Sequence, residues 1–526
     1  MMFFSGLFFI WLNLHAQTAN EPPQSAGTTA EETSTAIEND APSSEPTDAA
    51  PVPAIEQPID KPQPPDVQLP TKVKPDQKKA QKKENNNPEG FRFGSYGRVV
   101  FGTNSRGEPV YPVNITAHGP RLQENTYMEL DMMYKFMPNP HLRSRVVSTL
   151  ALNDTLFHYN GDWESGIAVR NLFLEMYPLT LQGFSFWAGS RMYRGDDIYL
   201  LDYWPLDNLN TVGAGVWIDR KPLRGGLHMG FNRIRGPYQY QEDTVNTTDV
   251  GQTTVVSLNR QRFIASGKLE YWQMLGSDLG FKIKGYSEFH QLPSGTYNAL
   301  GEPVERIELP SENGLVLGAQ IGLWGFALHS FVNVFARYAT GIAAYGEFSQ
   351  PLGLGSLPDL APDYSARDAR DFVLAIVGNY VLPGRLGVQL GAYWRSFLDA
   401  DGLDFDWDDG TELVFAARPM LFIPELFGRQ IAIGGEISYQ RTDRAGLHPE
   451  TSAPAHPSVW KFSFLPTWIS GSDTYSRPAV RFFYTVALPN EDARLWYHRF
   501  DDRRTRSVEH FVGISAEWWF KSSTYQ

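Results

Sequence analysis

From Phe91 to Phe520 the chain alternates between apolar and polar residues with a period of two. In Phe91–Phe101 one parity carries Phe91, Phe93, Val99 and Phe101, and the other Arg92, Gly94, Tyr96 and Arg98. Asn125–Phe136 sets Met128, Leu130, Met132, Tyr134 and Phe136 against Tyr127, Glu129, Asp131 and Lys135. Arg385–Arg395 and Trp460–Phe464 repeat the pattern. Successive side chains of a strand point to opposite faces, so this pattern predicts long strands with one apolar and one polar face.

Two stretches test that reading. Asn313–Ala336 is nearly continuous in apolar residues, as a membrane helix would be, but Gln320, His329, Ser330 and Asn333 and four glycines interrupt it. Two strands joined by a tight turn near Trp324-Gly325 account for it better. The last strand-like run, Phe511–Phe520, closes on Trp518-Trp519-Phe520. A closed sheet leaves no unpaired edge, so this terminal strand is expected to pair with the first. Six residues follow Phe520, where outer-membrane barrels usually end on the aromatic itself.

Composition narrows the solvent for these strands. Aromatics make up 13% of the 526 residues, with 14 Trp, 24 Tyr and 33 Phe. The mean hydropathy is nevertheless only -0.34. Rings without overall hydrophobicity fit a transmembrane barrel, where lipid-facing and lumen-facing residues alternate and aromatic girdles mark both interfaces. The net charge of -13 excludes the basic footprint that nucleic acid requires. The chain has no cysteine, hence no disulfide framework, thiolate metal site or lipoprotein anchor. No cofactor or metal is expected; the acidic run Asp404–Gly410 has calcium-like oxygen density but reads more simply as an external loop.

The N-terminal part is different. Residues 1–19 read as a secretory signal peptide, with an apolar core from Phe3 to Leu14 and small residues at Ala16 and Ala19, although the usual basic start is missing. Residues 20–88 are rich in Pro, Glu, Ser, Thr and Lys with almost no rings, which predicts a disordered periplasmic segment, a spacer or an arm touching the periplasm or cell wall. Residues 89–526 form the barrel.

The densest cluster of functional residue types is Phe186–Tyr193, running on to Asp202-Tyr203-Trp204. Rings, charges and glycines crowd there as they would in an inward-folded loop that narrows a pore. Other short runs are Ser95-Tyr96-Gly97-Arg98, Arg121-Leu122 with Thr126–Leu130, Gly213–Asp219, Arg418-Pro419-Met420, Tyr439–Thr442 and Tyr475–Arg481. Collinear over about 400 residues, these runs make the chain resemble maltoporin and its relatives, the trimeric sugar porins of Gram-negative outer membranes.

That resemblance implies an all-β fold: a transmembrane antiparallel β-barrel of about 18 strands with an inward-folded constriction loop and long external loops. It implies facilitated diffusion of maltodextrin-like oligosaccharides along a path of rings, in a homotrimer embedded in outer-membrane lipid. Matching positions give the ring path Tyr96, Tyr127, Trp163, Tyr475 and Trp519, with Trp163 in a loop that reaches a neighbouring subunit's pore. The polar partners are Arg98, Arg121, Glu129, Arg170 and Asp202. Parity supports four of the rings independently, because Tyr96, Tyr127, Tyr475 and Trp519 share a face with charged residues. An arginine fork donates to sugar hydroxyls and a carboxylate accepts from them.

Departures from the family pattern bear on specificity. Trp204 stands where a constriction tyrosine is usual, which narrows the opening and removes a hydroxyl. The arginine expected in the loop falls on Gly195, with Arg194 one position early and its direction open. A further ring of the path falls at about Leu317, and Tyr475 replaces what is often a tryptophan. A general diffusion porin without sugar selectivity and a barrel that only anchors a periplasmic tether are the competing functions. An enzyme is not expected, since none of the 11 histidines sits in a recognisable nucleophile–base motif.

Overall fold

The computed structural model of the protein describes residues 89–522, apart from 154–155, 157, 159–160, 162–165, 249–250, 300–304, 347–359, 383–384, 403–408 and 427–428. The signal peptide, the segment before residue 89, Trp163 and most of the acidic run 404–410 lie outside the described residues.

The strands are β1 (Gly90–Asn104), β2 (Tyr127–Asn139), β3 (Leu142–Asn153), β4 (Gly166–Pro178), β5 (Phe184–Arg194), β6 (Asn208–Arg220) and β7 (Leu223–Asn232). Next come β8 (Tyr240–Thr247), β9 (Gly251–Asn259), β10 (Arg262–Met274), β11 (Gly280–Leu292), β12 (Gly295–Ala299), β13 (Glu305–Leu309), β14 (Glu312–Trp324) and β15 (Phe331–Gly341). The rest are β16 (Arg370–Leu382), β17 (Leu386–Leu398), β18 (Gly410–Leu426), β19 (Arg429–Arg444), β20 (Ser458–Ile469), β21 (Ala479–Pro489) and β22 (Glu509–Phe520). Eighteen of them form one closed antiparallel sheet. The remaining four make two loop hairpins, β8–β9 and β12–β13.

Each expectation drawn from alternation holds. Leu227, Met229 and Phe231 of β7 are exposed on the outer face, while His228 between them is buried on the inner face. An apolar exterior of this extent is an association hazard in water and the required surface in lipid. Asn313–Ala336 is indeed two strands, β14 and β15, joined by the turn 325–330.

The last strand pairs with the first, in register from Ser95↔Phe520 to Asn104↔Phe511. In lipid an unpaired backbone group costs several kcal/mol, so this seam removes the last edge of the sheet. Gly97 faces Trp518 across it, and a Cβ at Gly97 would collide with the indole. The Trp518 indole N–H donates to Ser95 Oγ at 3.1 Å, and Ser95 Oγ donates to the Glu129 carbonyl of β2 at 2.8 Å. Beyond Phe520 the chain turns at Lys521, which has a positive φ, and Ser522 Oγ donates to Asp131 Oδ2 on the inner face at 2.8 Å. The start of the tail thus bends under the seam instead of lengthening the strand.

The turns at one end of the barrel are short and the connections at the other are long. Two long connections fold inward. Residues 195–207 make a tight hairpin, closed by the Ile198–Tyr203 bridge around a 3-10 turn at Tyr199–Leu201. It crosses to the opposite wall, where Leu206 fills the space above Gly318 of β14 and Ile198 the space above Gly391 of β17. Residues 105–126 run beside it. Gln440 of β19 accepts from the Ile115 N–H at 3.1 Å, and Gln123 Nε2 donates to Thr485 Oγ1 of β21 at 2.7 Å.

Valine at Gly97 must displace the Trp518 ring at the closing seam, an overpacking cost of about 1–3 kcal/mol. Gly97→Val is expected to lower the temperature at which the purified barrel loses its compact, heat-modifiable mobility on a detergent gel. An unchanged temperature would show that the Gly97–Trp518 contact does not hold the seam.

Candidate functional site

The site is assembled from the inner faces of β1, β2, β4 and β22, the turn before β21, and the two inward loops. Tyr127 of β2, Tyr96 of β1 and Trp519 of β22 stand side by side on adjacent strands. The Tyr127 and Tyr96 ring centroids are 6.1 Å apart, and Tyr96 stacks on Trp519 at 6.5 Å with an interplanar angle of 23°. The row continues through Tyr199 of the inward loop, edge-on to Trp519 at 6.1 Å and to Tyr475 at 5.5 Å. Phe331 of β15 follows, 6.2 Å from Tyr475. Four ring positions expected from the sequence therefore lie in one row.

The polar partners surround this row. Arg121 Nη2 donates to the Tyr96 hydroxyl. Arg170 Nη1 donates to the Tyr127 hydroxyl at 2.7 Å and lies 3.9 Å from Glu129. Tyr127 donates to Glu129 Oε1. Arg98 pairs with Glu124 at 2.8 Å and approaches Asp202 at 3.9 Å, and Arg121 lies 3.7 Å from both of those carboxylates. The structure brings Arg98, Arg121, Glu129, Arg170 and Asp202 together around the rings. Asp202 reaches its place through a left-handed backbone conformation, φ 48°, at the end of the 3-10 turn.

Three expectations need correction. Phe186–Tyr193 is not loop: it belongs to β5, paired with β6 from Phe184↔Ile218 to Arg194↔Asn208, and only residues 195–207 fold inward. The dense rings there are inner-wall residues, with Trp187 buried against His228 and Tyr193. Leu317 faces outward and is 51% exposed, because β14 turns Val316, Gly318 and Gln320 inward. Phe331 is the ring that stands beside Tyr475 instead.

Gly195 can carry no side chain at all, since a Cβ there would overlap the Asp207 carboxylate. The neighbouring Arg194 does face the lumen, with its guanidinium 4.0 Å above the Trp204 ring and Nε donating to Asn208 Oδ1 at 2.6 Å. The shift of one residue is absorbed at the end of β5. Trp204 presents its ring to that arginine and lines the lumen.

Tyr199 and its carboxylate partner were not anticipated as a unit. Glu517 accepts from the Tyr199 hydroxyl at 2.5 Å, from Arg477 Nε at 2.8 Å and from Arg481 Nη1 at 2.9 Å. The Arg477 guanidinium also lies 4.2 Å above the Trp519 ring. Glu517 and Arg477 could have been found, as both share a parity or a motif with path residues. Tyr199 could not, because its place depends on how far the loop crosses the barrel. On the short-turn side of the constriction a cavity of about 920 Å³ opens, lined by Arg194, Tyr199, Trp204, Tyr475 and Trp519 among others.

The arrangement sets flat apolar rings beside alternating donors and acceptors. That combination suits a molecule with apolar faces and a hydroxyl rim. The indole N–H of Trp519 is buried and has no acceptor among the described residues. Buried donors in native proteins nearly always have a partner, so a water or a ligand oxygen is its natural complement.

A family model described as LamB porin matches residues 91–520. Among solved structures, OmpT of Vibrio cholerae, folded in vitro and in its trimer form, is 10% identical with a TM-score of 0.39, covering 82% of this chain and 100% of that one. The anion-selective porin from Comamonas acidovorans is 10% identical with a TM-score of 0.37, covering 82% of this chain and 100% of that one. OpdQ of Pseudomonas aeruginosa is 9% identical with a TM-score of 0.37, covering 82% and 98%.

Asp197 in the inward loop adds a pH response. Burial inside the barrel, and then the Asp202 carboxylate, push its carboxyl up to about 7. Below that pH the group is neutral, and above it the constriction gains a negative charge. The cation-to-anion permeability ratio is expected to rise between pH 6 and pH 8, and to rise less in Asp197→Asn. Reversal potentials in a salt gradient measure this, and equal rises in both proteins would remove Asp197 from the account.

Proposed function

The chain belongs to the LamB porin family, and from that premise we propose that this outer-membrane channel conducts oligosaccharides of the maltodextrin type. Channel and membrane follow from the family; the sugar is our reading. The observation that carries it is the unbroken row Tyr127, Tyr96, Trp519, Tyr199, Tyr475 and Phe331, edged by Arg98, Arg121, Glu129, Arg170, Arg477 and Glu517.

A pyranose ring has apolar C–H faces and a rim of hydroxyls. Stacked on Tyr96 or Trp519, it exposes its rim to the arginines and carboxylates beside them, which donate and accept in turn. Each step exchanges similar contacts for the next, so no single site holds the sugar long enough to stop passage. A general diffusion channel needs lumen charges but has no use for rings in a row.

In this reading the short-turn end faces the periplasm and the long loops face outward, as in bacterial outer-membrane barrels. Residues 1–19 serve as the signal peptide and residues 20–88 as a periplasmic extension. The active form is a homotrimer in which Trp163 approaches the pore of a neighbouring subunit.

The test is single-channel conductance of the purified protein in a planar bilayer, titrated with maltodextrins and then sucrose. Saturable block that tightens with oligosaccharide length is expected, and steady ion current at all sugar concentrations would favour a general porin. Tyr127→Ala and Trp519→Ala should each weaken block about three- to tenfold, roughly 0.7–1.4 kcal/mol, with ion conductance retained. Unchanged sugar affinity in both would remove the ring row from the mechanism.

A further inference from the structure

The cavity below the constriction has a second aromatic wall that the ring row does not use. Trp324 at the end of β14 is the register partner of Gly280 on β11 and of Phe331 on β15. Its ring lies over Gly280, where a Cβ would collide with the indole, so the glycine lets the tryptophan lie against the wall. Trp217 of β6 lies over its own cross-strand partner Gly226 in the same way. Trp272 of β10 is half-buried and packs 5.1 Å from Trp324, tilted by 52°. Its indole N–H donates to Glu270 Oε2 at 3.1 Å, and Arg224 and Lys282 flank its ring at 5.3 and 5.2 Å.

Phe331 joins the two walls, 6.2 Å from Tyr475 on one side and paired with Trp324 on the other. All of these rings line one cavity of about 920 Å³, at the upper end of the roughly 300–1,000 Å³ typical of ligand pockets. The Trp324 indole N–H is buried and has no acceptor among the described residues, so a water or a ligand oxygen is its natural complement.

Charge defines the class of ligand. Arg224 pairs with Asp219 at 2.8 Å, Lys282 with Asp196 at 2.7 Å and Lys284 with Glu270 at 3.2 Å. The cations are matched by carboxylates, so the wall offers donors and acceptors side by side without an excess charge to hold an acidic sugar.

We propose that Phe331, Trp324 and Trp272 form a second sugar subsite at the short-turn rim, which holds the leading end of a neutral oligosaccharide long enough to pass Tyr475. The proposal rests on the sugar-channel reading above. The leading pyranose stacks against Trp272 and Trp324. Lys282 and Arg224 donate to its hydroxyls, and Glu270 accepts from them. A short sugar seated on Tyr96 and Trp519 does not reach this wall.

The test compares wild type, Trp272→Ala and Trp272→Phe as full chains in planar bilayers, with maltose, maltotriose and maltoheptaose as blockers. Trp272→Ala should weaken maltoheptaose block about three- to tenfold while leaving maltose and maltotriose block unchanged, and Trp272→Phe should retain most of the wild-type length dependence. Wild-type length dependence in Trp272→Ala would overturn the subsite and leave the sugar channel standing. An equal loss for all three sugars would also overturn it, by placing Trp272 in the general shape of the pore. Absence of block in wild type by any of the three would fail the sugar reading itself, and the subsite with it.

Discussion

Closure of the backbone ladder governs everything else in this molecule. A strand edge in hydrocarbon has no water to satisfy its N–H and C=O groups, so a spanning sheet must end on itself. Pairing β1 with β22 achieves that. It then dictates the chemistry of both faces, since a strand paired on both sides can present only alternate residues to lipid and lumen. Rings and charges that occupy the lumen parity of β1, β2 and β22 are brought side by side by register. Tyr96 lies opposite Trp519 and Arg98 opposite Tyr127 for the same reason that Gly97 lies opposite Trp518.

Glycines set how closely other parts approach this cylinder. Gly318 and Gly391 leave hollows in the inner wall that receive Leu206 and Ile198 of the inward loop. Gly97, Gly226 and Gly280 each face a tryptophan on a neighbouring strand and let its ring lie flat. The first pair serves the lipid side and the other two the lumen. A cross-strand glycine–aromatic pair thus trades one side chain for the orientation of another, at a small loss of strand propensity. The inward loop adds polar anchors of its own, with Tyr199 bound to Glu517 and the Arg121 N–H donating to the Leu200 carbonyl at 3.1 Å.

Most of the barrel was legible in the sequence because period-two alternation is local. Leu386–Trp394 and Trp460–Phe464 announce their lipid face without reference to any other strand. The ring row was legible where parity and family pattern agreed, at Tyr96, Tyr127 and Trp519. It was misplaced at Leu317, where parity alone, with Val316 and Gly318 turned inward, would have given the right face. Other features depend on contacts distant in sequence. Whether Trp187–Arg194 is strand or loop is decided by its pairing with β6, and the direction of Arg194 by the Asp207 carboxylate that excludes a side chain at Gly195. Tyr199 enters the row only because the loop around it docks on β14 and β17, far from it in the chain.

The lumen resolves a conflict between recognition and flux. Isolated charges inside a barrel would each hold a polar solute too strongly, and an apolar bore would offer a sugar nothing in exchange for its hydration. Here the lining charges are largely paired with one another, as Glu517 is with Arg477 and Arg481, and Glu124 with Arg98. A sugar hydroxyl that enters such a pair replaces one hydrogen bond by another of similar strength, so the net gain per contact stays small. The rings supply the remaining attraction through surface that is indifferent to where along the row the pyranose lies. Selectivity then comes from the sum over several sugar units, while release requires breaking only a few weak contacts at a time.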